Sequence, residues 1–331
     1  MAEVTPVAHN VSGGKDFHCL SSQSLVASVL PPILILELLV GLPSNVVALW
    51  IFTCRLKTWR VNTLLLFNLV LADFLLLISL PFRIDNLFRG EHWVFGQAWC
   101  RINLFMLAVN RSASIAFMTC VAFDRYFKVV HPHHRVSHMT SGHTGWLAFG
   151  IWTIVIALRF PLLSTNLLKQ DGNMSLCRSF SSYNKPPLAI KIHYTLYFVE
   201  FFLPLVLLLF CSVRIACILR QRQLDKELKV KRAIRVVGII VAVFILCFSP
   251  GIATGLAVII IRYSSTDCDA YNLAGQLFSL SIGFTYLNSA LDPIIYCFSS
   301  SMFRNSLKSS INNLGFVEMR LSRRGSMTSD G

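Results

Sequence analysis

The chain has 331 residues, of which 54% are hydrophobic and only 14% charged, with a mean hydropathy of +0.60. A soluble protein of that length would struggle to hide so much apolar surface, so lipid is the expected solvent; a disordered chain, a disulfide-stapled miniprotein and most cytosolic enzymes are excluded. Against this stands charge: 30 lysines and arginines and 16 acids give a formal +14, an excess that usually signals nucleic acid or anionic lipid.

A helix crossing the roughly 30 Å hydrocarbon core needs about 20 mostly apolar residues. Seven stretches are read as such spans, near Leu25 to Cys54, Val61 to Phe88, Gln97 to Val130, Gly142 to Ser164, Ile192 to Leu219, Lys231 to Arg262 and Asn272 to Phe298. The fold class is therefore an all-α membrane bundle, residues 25–298, with an outer tail at 1–24. A short amphipathic eighth helix at 299–314 and an inner tail at 315–331 follow it. The outer tail is polar and holds no apolar core of about 7 to 15 residues, so no cleavable leader is expected and the first span directs insertion. No internal repeat is visible, which weakens an inverted-repeat transporter.

With the amino end outside, the inner segments are 55–60, 125–141, 214–235 and everything beyond Phe298. They hold 19 of the 30 basic residues against four acids, five with the adjoining Asp124. This supports an outside amino terminus and an inside carboxyl terminus, and assigns most of the excess charge to the inner leaflet rather than to nucleic acid. Cys54, Cys120, Cys211, Cys217, Cys247 and Cys297 lie in or beside spans and read as small buried residues. Cys19, Cys100, Cys177 and Cys268 fall outside, an even number in an oxidising compartment, which suggests two disulfides with three pairings open. The sequons at Asn10 and Asn173 face the same side and are expected to be glycosylated, whereas Asn110 lies within a helix.

The intramembrane polar residues narrow the choice. In chain order the spans carry Asn45, then Leu69 to Asp73, then Asp124-Arg125-Tyr126, Trp152, Pro204, Cys247-Phe248-Ser249-Pro250, and Asp292-Pro293-Ile294-Ile295-Tyr296. One such signature per helix, in this order, resembles a rhodopsin-like (class A) G-protein-coupled receptor over roughly residues 20 to 312. Two positions depart from that family's pattern: Phe248 stands where most members have Trp, and Ser212 where a Tyr is common. A retinal protein is excluded because no lysine occurs between Asn272 and Phe298. An amine receptor is disfavoured because Leu104 to Arg111 offers a cation instead of a carboxylate, so an anionic ligand is expected.

Within the family, Leu104 to Arg111, Val129 to His134, Glu200 to Pro204, Phe284 to Ser289 and Tyr296 to Ser300 resemble the hydroxycarboxylic acid and oxoeicosanoid receptor group. Arg83 and Gly255 incline the resemblance to the oxoeicosanoid branch. It implies the disulfides Cys100–Cys177 and Cys19–Cys268, and a ligand site from Arg111, Arg83, Leu107, Ser179, Tyr286 and Gly255. Arg111 is deep in its span, where an unpaired charge costs about 3 kcal/mol or more. Its fork suits a carboxylate, while an internal pair with Asp85 or Glu200 is the structural alternative. Arg83 follows Pro81, which can turn the helix toward the cavity, with snorkelling to the headgroups as the competing expectation. Ser179 is a candidate donor or a solvated loop serine. Gly255, between Ile252, Leu256 and Ile259, is expected to open apolar space, with Leu107, Met106 and Phe278 as lining; this favours a longer acid. Arg159, Arg178 and Arg262 are read as outer-surface charges and not as contacts.

The resemblance also assigns a switch. Asp73, Ser114, Asn288, Ser289 and Asp292 converge midway, where two carboxylates at low dielectric demand a counter-ion or a proton; family members hold sodium there, the alternative being a hydrated network. No other cofactor is expected. Asp124 and Arg125 form the inner ionic pair, Ile115, Pro204 and Phe244 the transmitting core, and Pro250 the bend of the sixth span. The third inner loop, 214–235, is short and basic. Phe303, Leu307, Ile311 and Leu314 recur with helical spacing beside Arg304 and Lys308, as for a helix on the inner leaflet. Ser322, Ser326, Thr328 and Ser329 offer sites for a receptor kinase and arrestin. The implied function is a plasma-membrane receptor, not an enzyme, for an oxidised fatty acid, signalling through Gi/o to lower cAMP. The alternatives are a receptor for small hydroxycarboxylic acids and an organic-anion transporter.

Overall fold

The computed structural model of the chain describes residues 24–56, 58–171, 174–177, 187–221, 228–264, 267–310 and 312. Apolar runs in lipid must pair every backbone group within the segment, and the chain does so as helices. The helices are α1 (Ser24–Trp50), α2 (Val61–Leu77), α3 (Leu80–Phe88), α4 (Gly96–Val130), α5 (Ser141–Arg159), α6 (Pro161–Ser164), α7 (Leu188–Gln221), α8 (Leu228–Ser264) and α9 (Cys268–Ser299). Residues 301–310 form a further helix, α10. A π-helical turn, Ile51–Arg55, extends α1.

The seven expected spans appear within a few residues of their expected ends. The second is split: Pro81 has no amide hydrogen to donate, so α2 stops at Leu77 and α3 restarts with that proline in its first turn. The Ser79 hydroxyl donates to the Leu76 carbonyl, and Asn103 of α4 donates to the Ser79 carbonyl, pinning the break. Among the described residues six segments are long and apolar enough to cross a membrane, and α9 is not among them. Its length suffices, but it spends Ser281, Thr285, Asn288, Ser289 and Asp292 on the bundle interior, where all five are buried. The third inner loop is also shorter than expected, because α7 runs on through Gln221 and α8 begins at Leu228.

The core lies between α2, α4, α8 and α9, where Leu66, Leu69, Phe117, Phe244 and Tyr296 have no exposed surface. On α5 and α7 the order is inverted. Trp146, Phe149 and Ile154 of α5, and Phe202, Leu203 and Val206 of α7, are exposed. In water such a surface would aggregate; around a bundle it faces acyl chains. At the opposite end from the inner motifs, a hairpin that the sequence did not announce joins β1 (Leu168–Asp171) to β2 (Met174–Cys177), with Leu168 opposite Cys177. The Trp93 amide donates to the Ser175 carbonyl, and the Cys100–Cys177 disulfide, Cα atoms 5.8 Å apart, ties the hairpin to the first turn of α4. Cys268 is disulfide-bonded too; Cys19, its expected partner, lies outside the described residues. In α10, Phe303 does not face lipid. It is buried, stacked at 5.3 Å on Phe52 and 6.1 Å from Tyr296, with the extended Ser300 separating α10 from α9. Ile311 and Leu314 fall outside the described residues.

Candidate functional site

A cavity opens beneath the hairpin, lined by α3, α4, α5, α7, α8 and α9. Its walls are mainly apolar, with Leu104, Leu107, Ala108, Val258, Phe278 and Ile282 contributing, and its cations are Arg83, Arg111 and Arg159. Arg111, 4% exposed, points inward from α4. Its guanidinium lies over the Tyr197 ring at 3.9 Å and over Phe248 at 5.5 Å. Nη2 donates a long bond of 3.3 Å to the Tyr197 carbonyl. Glu200 forms an ion pair at 3.6 Å from Nη1, beyond hydrogen-bonding range, and among the described residues neither Nε nor Nη1 has a hydrogen-bond partner. The internal pair with Glu200 is therefore present but loose, and two donors remain unspent at a buried cation.

Arg159 corrects the sequence reading. It is 1% exposed, the largest of the fully buried side chains, and not an outer-surface charge. Its Nε and Nη2 donate to the Ser112 hydroxyl at 3.2 and 3.0 Å, Nη2 also contacts Glu200 Oε2, and Nη1 donates to His193 Nδ1 at 2.8 Å. A guanidinium has no acceptor, so His193 Nδ1 carries a lone pair and the ring proton sits on Nε2. Sequence position alone places Arg159 at the last turn of α5; only the packing of α7 against it reveals the burial.

The remaining expected ligand residues divide. Arg83 is turned inward: its side chain is 12% exposed and paired with the buried Glu91 at 3.7 Å, so it does not snorkel. Glu91 occupies left-handed backbone space, φ 69°, unusual for a residue with a Cβ, and its amide donates to the Asn86 carbonyl. Leu107 and Tyr286 line the cavity. Gly255 does not. The space that it leaves is filled, since a Cβ there would meet Phe278 at 3.3 Å and Tyr197 at 3.8 Å. The expectation of open apolar room at Gly255 is thus overturned by the aromatic rings that close over it. Ser179, Asn10 and Asn173 lie outside the described residues.

Below the cavity, Asp73 accepts from Ser289 at 2.9 Å and Ser114 at 3.3 Å on one oxygen, and from the Tyr296 hydroxyl at 2.6 Å on the other. Asn288 donates to Asp292 Oδ2 at 3.1 Å, while Asp292 Oδ1 and Asn288 Oδ1 are buried without a hydrogen-bond partner among the described residues. Pro293 follows within α9. Ile115 and Phe244 share the buried core, with Phe201 stacked on Phe244 at 5.4 Å and Phe248 5.3 Å beyond. Pro204 and Pro250 lie inside α7 and α8. At the end of the bundle opposite the hairpin the Asp124–Arg125 contact is loose, 3.9 Å and without a hydrogen bond among the described residues; the near partner of Asp124 is Lys128, at 2.6 Å one helical turn on. Arg125 reaches the Ser299 carbonyl at 3.4 Å, and the Tyr126 hydroxyl lies 3.1 Å from His131.

Residues 44–296 match the family described as 7 transmembrane receptor (rhodopsin family). Hydroxycarboxylic acid receptor 2 of Rattus norvegicus is 43% identical over 296 residues, covering 89% of this chain and 81% of its own length. Oxoeicosanoid receptor 1 of Homo sapiens is 44% identical over 292 residues, 88% and 74% of the two chains. The 12-(S)-hydroxy-5,8,10,14-eicosatetraenoic acid receptor of Mus musculus is 35% identical over 301 residues, 90% and 93%. These matches set aside the transporter. The chain belongs to the rhodopsin family of seven-transmembrane receptors, as a G-protein-coupled receptor homologous to the hydroxycarboxylic acid and oxoeicosanoid receptors.

Proposed function

We propose that this receptor binds an extracellular carboxylate on an apolar body, an oxidised fatty acid, and signals through Gi/o proteins to lower cAMP. The observation that carries the reading is Arg111: a buried cation with two unspent donors at the inner end of an apolar-walled cavity. A carboxylate can accept from the unspent Nη1 and replace the loose contact with Glu200, and the walls accept the chain. Arg83 and Tyr286 serve the polar group of the chain, and Ser179 is carried over from the resemblance. The names of the relatives, which specify hydroxy and oxo acids, support this ligand class. The small hydroxycarboxylic acid remains the second reading, favoured by the Phe278 ring over Gly255, which shortens the available channel.

The receptor sits in the plasma membrane with the cavity end outside. The disulfide at that end suits an oxidising compartment, and the basic excess lies at the other. There the G protein meets Arg125, and a receptor kinase and arrestin use the serines of the tail. A sodium ion suits the middle of the bundle, because Asp292 Oδ1 and Asn288 Oδ1 are buried acceptors lacking donors beside Asp73; it would supply the counter-charge for the two carboxylates. The direct test is cAMP in cells expressing the receptor, titrated with 3-hydroxybutyrate, 3-hydroxyoctanoate and 12-(S)-hydroxy-5,8,10,14-eicosatetraenoic acid. Suppression of cAMP by the long acid at the lowest concentration is expected. A response confined to the shortest acid selects the second reading, and no response to any acid removes both.

A further inference from the structure

Two arginines and one carboxylate meet on the α4–α5–α7 side of the cavity, and their hydrogen bonds are shared unequally. Arg159 has a partner at every nitrogen: Ser112 at Nε and Nη2, Glu200 at Nη2, and His193 at Nη1. Glu200 is engaged on the same side: Oε2 contacts Arg159 Nη2, and the single Ser112 hydroxyl proton has both carboxylate oxygens within reach at 2.8 Å. Arg111, by contrast, faces Glu200 at 3.6 Å and keeps Nε and Nη1 without hydrogen bonds. A carboxylate so close to a forked cation in a dry site would ordinarily close on it and make two short bonds. Something holds it back.

We infer that Arg159 is a positioning residue for ligand binding: it draws the Glu200 carboxylate onto itself and Ser112, and so keeps the Arg111 fork open for an incoming anion. This rests on the reading of Arg111 as the anchor. His193 completes the arrangement. Its Nδ1 lone pair fixes the third nitrogen of Arg159, so the guanidinium plane cannot rotate away from Glu200 without losing that bond. The fork geometry matters as well as the charge, because Nε and Nη2 meet Ser112 on one edge of the guanidinium while Nη1 meets His193 on the other side. With Arg159 in place the three charged groups sum to one positive charge. Without it, Arg111 and Glu200 cancel, and the cavity loses both its free donors and its attraction for an acid.

The inference predicts a rescue that a merely structural role would not produce. Arg159→Met should weaken the acid response by at least about tenfold, since one partner of a buried charge pair is removed. Arg159→Met with Glu200→Gln should recover to within about threefold of the unmodified receptor, because the competing charge is gone. Glu200→Gln alone should respond at equal or lower acid concentrations. The readout is G-protein activation normalised to surface-labelled receptor, using whichever of the three acids above is most potent. Unchanged potency in Arg159→Met, no rescue by Glu200→Gln, or a tenfold loss in Glu200→Gln alone would each overturn the inference. A structure of Arg159→Met without ligand tests it independently of any acid: Glu200 should close from 3.6 Å to hydrogen-bonding distance of Arg111, and a carboxylate that stays away contradicts the proposal. Arg111→Ala responding normally would defeat the anchor reading instead, while leaving that structural result to stand or fall alone.

Discussion

The guanidinium of Arg111 lies 5.5 Å over the ring of Phe248, the residue that stands where most family members carry a tryptophan. From Phe248 an unbroken aromatic path leads to Phe244 at 5.3 Å and to Phe201, stacked on Phe244 at 5.4 Å. These rings join α8 to α7 within the buried core that also holds Ile115. A carboxylate that shifts Arg111 therefore acts directly on the ring in α8 two residues before Pro250, the point at which that helix lacks a backbone donor.

Phe248→Leu keeps apolar volume but removes the aromatic face. It should lower the maximal G-protein response while changing ligand affinity less than about fivefold, the size of one cation–π contact. Competition binding and maximal response, measured on the same membranes, separate the two. A large affinity loss with full efficacy would mean that the ring belongs to the ligand site alone.

At the inner end, Lys128 holds Asp124 at 2.6 Å while Arg125 stays at 3.9 Å without a hydrogen bond. Removing the closer competitor should let Asp124 bind Arg125 and restrain the switch. Lys128→Met is expected to lower ligand-free nucleotide exchange on the G protein, and Asp124→Asn to raise it. Equal basal exchange in Lys128→Met and the unmodified receptor would show that the lysine does not compete.

The space above Gly255 is occupied by Phe278. Phe278→Ala should open it and move the preferred acid toward longer chains, whereas Gly255→Arg should push the ring into the cavity and move the preference toward shorter ones. Potency across the acid series reads both shifts. Parallel changes for every chain length would mean that this wall does not measure the ligand.

For the mid-bundle site, replacing sodium with N-methylglucamine should raise agonist affinity in the unmodified receptor and leave Asp292→Asn unaffected. The same sodium response in Asp292→Asn would place the ion elsewhere.

The spans were legible because lipid leaves a long apolar segment little choice but a helix, and the buried charge of Arg111 declared itself by its depth. What the sequence could not disclose came from packing between distant segments. Arg159 looks like a headgroup charge until Glu200, 41 residues on, and His193, 34 residues on, are brought against it. Gly255 implies room only if nothing fills it, and Phe278 of the next helix does. The four-residue strands of the hairpin are too short for an alternation pattern, and their place is set by Cys177 and by the backbone bond from Trp93. Likewise Phe303 has helical spacing that suits a membrane face, yet its neighbours are Phe52 and Tyr296.

Whether Arg111 anchors an acid is read from the concentration dependence of G-protein activation in Arg111→Ala at matched surface density. The unmodified receptor should respond to the most potent acid of the series and fail to respond to its methyl ester, and Arg111→Ala should lose the acid response by at least about a hundredfold, as expected for a desolvated charge pair. An Arg111→Ala receptor with unchanged potency for the acid would show that the acid is held elsewhere.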